Sequence, residues 1–179
     1  MLGIPFGTEL VPPVMDGTKT MTRRPMNPQP LTCKEAKKGK CGMLVAMCEW
    51  WATDKCLKSV PEPKYKRGET YYVKETWALL DGKYIYKADY TTEAAKGVKW
   101  KSPRFMPEVA ARAYIKIKSA DGWARVQTIS RKDLEAEGFK LFSDFTAYWD
   151  AMYRDDPIKG YVANPWVWTY TFERVEKPQ

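Results

Sequence analysis

The sequence predicts a mainly β domain with short helices, an α+β arrangement built as a small, mostly antiparallel β-barrel with helical caps. Three observations carry that expectation. Several stretches, the longest being Trp166 to Val175, alternate side chains in the two-residue period of a strand. Helical spacing with start and stop signals is confined to short segments. A length of 179 residues, with 44% hydrophobic and 14% aromatic content, supplies one apolar core rather than two.

In order along the chain, Thr8 is placed to cap a short helix from Glu9 to Met15, with Pro12 and Pro13 acceptable only in its first turn. Gly17 would end that helix in the left-handed conformation. Thr18 to Arg24 then mixes β-branched and basic residues as a strand leaving a turn does, and Pro25, Pro28 and Pro30 break regular structure after it. Residues 31–67 hold all four cysteines and a lysine-rich stretch from Lys34 to Lys40, so they read as an insertion within a single domain spanning 1–179. Thr70 to Trp77 and Lys83 to Tyr90 form strands joined at Asp81-Gly82, a pair suited to a two-residue reversal. Arg112 to Lys118 and Trp123 to Ile129 give two further strands. Ser130 with Asp133 starts a helix from Arg131 to Glu137, closed by Gly138, and Ser143 caps another from Asp144 to Tyr153. In that last helix Phe145, Tyr148, Trp149 and Met152 share a face and are expected in the core.

The absence of histidine excludes much chemistry: no Ser-His-Asp system, no imidazole acid-base pair and no His-containing zinc site. Catalysis would have to run on lysine, carboxylates, hydroxyls or thiols. The net charge of +8 suggests a polyanionic partner, and the excess is uneven. Residues 1–67 carry 12 Lys+Arg against 6 Asp+Glu, whereas residues 68–179 carry 18 against 16. The longest apolar run, Met43 to Cys48, is too short to span a bilayer, and no signal-peptide pattern opens the chain, so a cytoplasmic protein away from membranes is expected. The spacing Cys33, Cys41, Cys48, Cys56 lacks the paired knuckles of common zinc sites. A four-thiolate zinc site and unpaired thiols filling apolar positions both stay open, and no cofactor is otherwise expected.

The segment Gly17-Thr18-Lys19-Thr20-Met21-Thr22-Arg23-Arg24 concentrates hydroxyls and bidentate cations. In an extended segment Thr20, Thr22 and Arg24 share one face, with Lys19, Met21 and Arg23 opposite unless a turn twists them together. A phosphate or base edge would suit this surface, and a solvated strand edge explains it equally. Glu75, between Val73 and Trp77, is expected to be partly enclosed, either accepting from a cytosine-like amine or pairing with an arginine such as Arg24. Trp77, Trp100 and Trp166 could each stack on a base, though most tryptophans in a domain of this size are core.

Taken together, Asp16 to Arg24, Gly68 to Trp77, Tyr86 to Tyr90, Trp100 to Arg112 and Asn164 to Trp168 occur in an order that resembles the ASCH family of the PUA-like superfamily, in the long form common in bacteriophages and prophages. The resemblance implies a PUA-like β-barrel with a cleft for RNA or modified nucleosides. Some small bacterial members are amidohydrolases that remove the acetyl group of N(4)-acetylcytidine with a lysine, a threonine three residues later and a glutamate from a later helix. These fall on Lys19, Thr22 and Glu137, with Glu135 a rival for the last. Arg23, Arg24, Glu75, Trp77 and Arg104 are the expected nucleoside or nucleic-acid contacts. Without any analogy, a threonine hydroxyl needs a neighbouring base, and in a chain without histidine a desolvated lysine can serve. A carboxyl such as Glu137 would orient the amide or protonate the departing amine. The alternatives are a non-catalytic RNA-binding module and a phage accessory protein that engages a host factor.

Overall fold

The computed structural model describes residues 1–30 and 61–178. The four cysteines of the zinc alternative, and most of the insertion expected at 31–67, lie outside the described residues. Five strands form one sheet: β1 (Gly3–Pro5), β2 (Met21–Pro25), β3 (Thr70–Lys74), β6 (Tyr114–Arg125) and β7 (Trp166–Val175). Their order is β1-β3-β6-β7-β2, with β1 parallel to β3 and every other neighbour antiparallel. The α+β class is as expected, but closure into a barrel is not: β1 and β2 stand at the two ends of the row and are not paired with each other among the described residues. A separate hairpin joins β4 (Trp77–Leu80) to β5 (Lys83–Tyr86) through Asp81 and Gly82, both at positive φ.

Among the described residues three short α-helices accompany the sheet: α1 (Val11–Met15), α2 (Arg131–Ala136) and α3 (Phe142–Tyr153). Prolines 12 and 13 sit in the first turn of α1, where their missing N–H groups cost nothing, and a separate 3-10 turn at Thr8–Leu10 precedes them. Thr8 does not cap it. The Thr8 hydroxyl instead donates to Thr76 Oγ1. Ser143 likewise gives α3 no cap, because that helix starts one residue before it, at Phe142. Ser130 does cap α2, accepting from the Asp133 N–H.

Several strand assignments change, and the strand expected from Lys83 to Tyr90 ends at Tyr86, with Lys87–Asp89 in a 3-10 turn. β3 stops at Lys74, so Glu75 leaves the sheet, and the segment from 77 onward turns into the hairpin. Arg112 to Lys118 and Trp123 to Ile129 are largely one long strand, β6, whose pairing with β7 shifts register around Ser119 and Gly122. The core between sheet and helices includes Ile4, Phe6, Ile115, Leu134, Phe145 and Phe172. Tyr65, from the end of the expected insertion, is buried there too and meets Tyr71 and Tyr170 edge-on. No helix among the described residues is long and apolar enough to cross a membrane.

β1 lies tightly on β3. A β-carbon at Gly3 would stand 2.7 Å from the Tyr72 ring and 2.6 Å from the Lys74 side chain. Gly3→Ala is therefore expected to lower the free energy of unfolding by about 1–3 kcal/mol in denaturant titration, with an unchanged slope. A change below about 0.5 kcal/mol would mean that the edge is looser than described.

Candidate functional site

The site grows from the way α2 ends. Gly138 takes a φ of +88°, and the N–H groups of Gly138 and Phe139 bond back to the carbonyls of Glu135 and Leu134, closing the helix in a Schellman motif. The carbonyls of Ala136 and Glu137 are left over. The segment before β2 takes both: Thr20 N–H donates to Ala136 O at 2.9 Å, and Lys19 Nζ donates to Glu137 O at 2.7 Å. That segment is fixed from two other sides as well, since Lys19 N–H donates to Pro13 O of α1 and Thr20 O accepts from Phe172 N–H of β7. Gly17, at φ +83°, makes the turn that delivers it.

Lys19 Nζ also donates to Glu137 Oε2 at 2.8 Å and to Met21 O at 2.7 Å, so three acceptors match its three N–H groups. Lys19 is 1% exposed and Glu137 3%. Burial pushes the Lys19 ammonium below its ordinary range; Glu137 opposes this, while Arg24 and Arg23 add to it. Arg23 reaches the other oxygen of the same carboxylate, Nη1 to Glu137 Oε1 at 3.3 Å, and Asp133 Oδ2 at 2.9 Å. Asp133 and Glu137 stand four apart and so share one face of α2. Two cations from one segment thus grip two carboxylates of one helix.

Thr22 is buried and opens on a cleft between the edge strand β2 and α3. Thr22, Arg23, Arg24 and Glu137 line it on one side, and Phe145, Tyr148, Trp149 and Tyr153 of α3 on the other. The space left open is about 10 Å³, room for roughly one water, so a pyrimidine enters only if rim side chains move aside. Lys19 does not line this space; it reaches it through the Glu137 carboxylate. The buried Nε–H groups of Arg23 and Arg24 have no partner among the described residues. Arg24 donates to Pro5 O and lies over the Phe6 ring at 5.3 Å. Burial drives the Tyr148 phenol up to about 12, against the opposing pull of Arg24.

Lys19, Thr22, Arg23, Arg24 and Glu137 therefore come together. Glu135 does not: it is exposed and pairs with Arg131 on the outer face of α2. Glu75, Trp77 and Arg104 also lie outside the cleft. Glu75 does not pair with Arg24. It is 1% exposed and held by both Nε and Nη2 of Arg112 at 2.8 Å, while Arg112 Nη1 takes Asp89 at 2.7 Å and the guanidinium stacks on Tyr86. Trp77 packs with Met106 and Ala110 in a small second core, and Arg104 is exposed. Trp166 packs on the main core and meets Trp123 edge-on. Sequence reasoning missed Asp133, whose spacing from Glu137 was the available signal, and Arg112, which had none. It placed Tyr148 and Met152 in the core: Tyr148 does pack against the core and also walls the cleft, whereas Met152 is exposed at the edge of that cleft.

No protein-family model and no curated protein matches the sequence. One similar solved structure is a crystal structure of a DUF984-family protein from Enterococcus faecalis V583, 11% identical, with a TM-score of 0.47 over 98% of this chain and 81% of the other.

Because Arg112 answers a fully enclosed carboxylate, Arg112→Met should cost about 3–5 kcal/mol in unfolding free energy, by leaving Glu75 charged and alone. Adding Glu75→Met should recover most of that loss. A single substitution that costs under about 1 kcal/mol would show that water reaches Glu75.

Proposed function

We propose that the chain is a PUA-like protein of the ASCH type whose cleft recognises RNA or a modified nucleoside, and that it hydrolyses the acyl-amide of N(4)-acetylcytidine. What supports the reading is one juxtaposition: Thr22 lines the same cleft as Glu137, whose carboxylate is bound to the desolvated ammonium of Lys19. In this reading Thr22 Oγ attacks the acyl carbon, and its proton passes to the Glu137–Lys19 pair, which shares protons as a unit. The C–N bond then breaks as the pair returns that proton to the departing amine. Water hydrolyses the threonine ester, releasing acetate and restoring the hydroxyl. Lys19 acts behind Glu137 and sets how readily the pair gives up a proton.

Incubation with N(4)-acetylcytidine should yield cytidine by liquid chromatography. Thr22→Val should lower the rate at least ~10³-fold with an unchanged circular dichroism spectrum. Absence of cytidine with the wild-type chain, or full activity in Thr22→Val, would refute the hydrolase.

A second reading, a non-catalytic RNA-binding module, is favoured by the narrowness of the cleft and by the three acceptors that already satisfy Lys19. It expects affinity for an oligoribonucleotide to fall about tenfold or more between about 50 and 200 mM salt, as phosphate-bound counterions are released. A flat response would count against it.

A further inference from the structure

The arginines of the cleft are not satisfied as those elsewhere are. Arg112 uses Nε, Nη1 and Nη2 on Glu75 and Asp89. Arg23 and Arg24, adjacent on β2, each bury an Nε–H with no acceptor among the described residues, and both line the same cleft as Thr22. Arg23 is 6% exposed. A buried donor without an acceptor costs about 1–3 kcal/mol, so two of them on adjacent residues of one cleft wall call for an acceptor that the described residues do not supply. The charges agree. Among the described residues the ion pairs of Lys19 and Arg23 are with Glu137 and Asp133, and Glu9, whose charge acts on Tyr148, is exposed.

We infer that the cleft between β2 and α3 is a binding site for an oxyanion, a carboxylate or phosphate oxygen received by Arg23 Nε–H, Arg24 Nε–H and the Thr22 hydroxyl. The charge of such a group balances the excess cation, and planar guanidinium donors suit it better than a point charge does. The open volume of about 10 Å³ admits one oxygen, with the rest of the ligand projecting past Tyr148 and Tyr153. The inference rests on the reading of this cleft as the ligand site, and adds an oxyanion subsite that a neutral nucleoside leaves unfilled.

The test is nitrogen-detected NMR of the arginine Nε–H groups in the full chain, titrated at constant ionic strength with sodium acetate, inorganic phosphate or sodium chloride. The Arg23 and Arg24 signals, assigned through Arg23→Lys and Arg24→Lys, should shift saturably with acetate or phosphate and not with chloride. Tighter acetate binding identifies a carboxylate ligand, and tighter phosphate binding a phosphate-bearing one. Arg24→Lys and Thr22→Val, which leave the Lys19 and Arg23 ion pairs in place, should each weaken binding about tenfold. No saturable shift with either oxyanion, an equal response to chloride, or unchanged affinity in both variants overturns the inference. Anion binding without cytidine formation would discard the hydrolase and keep this site; cytidine formation without anion binding would do the reverse.

Discussion

The bond between Lys19 and Glu137 is the contact on which the arrangement of the cleft depends. Neither partner could be left in a nearly dry interior alone, because an isolated buried charge is strongly disfavoured. Each therefore dictates the other's position: Lys19 must reach the end of α2, so the chain before β2 has to run along that helix terminus, where it also satisfies the carbonyls that the Schellman closure leaves over. Arg23 repeats the link four residues on, through Glu137 and Asp133. With β2 held at both points, Thr22 and Arg24 are fixed toward α3, and the aromatic face of that helix has an edge strand to cover.

The two ion-pair groups that enclose buried carboxylates among the described residues differ in how fully they are satisfied. Around Glu75, donors and acceptors balance: Arg112 spends its nitrogens on two carboxylates and its flat face on Tyr86. The carboxylates there are fully answered, although Trp77, two residues on, buries an indole N–H without an acceptor among the described residues. In the cleft, three cations meet two carboxylates among the described residues, and two guanidinium N–H groups find no acceptor there. Proteins tolerate such imbalance where something else completes it.

Much of this was legible in the residues, and the exceptions have physical reasons. The alternation from Trp166 to Val175 gives β7 to the residue, and Ser130, Asp133 and Gly138 mark both ends of α2, because these signals are local. The gathering of Lys19, Thr22 and Glu137 was expected only through a family resemblance, since 118 positions separate the lysine from its glutamate and no local pattern spans them. The Arg112 partner of Glu75 was missed for the same reason, at a separation of 37. Strand β6 was split in two because Ser119 to Gly122 is polar and glycine-bearing, and reads as a turn; in the sheet it is an irregular stretch that β7 still pairs across. Closure of the barrel was inferred from the number of strands, which does not decide whether the first and last of them meet.

The most direct test of the account is the titration of the Lys19 side chain itself, followed by the nitrogen chemical shift of its ammonium group in the intact chain. A lysine held in a dry interior by one carboxylate, with Arg23 and Arg24 close by, should lose its proton below the usual value near 10.5, and lower still in Glu137→Gln, where the charge that opposes burial is gone. A Lys19 that titrates at or above 10.5, and does not respond to Glu137→Gln, would contradict the buried pair and with it the cleft built around it.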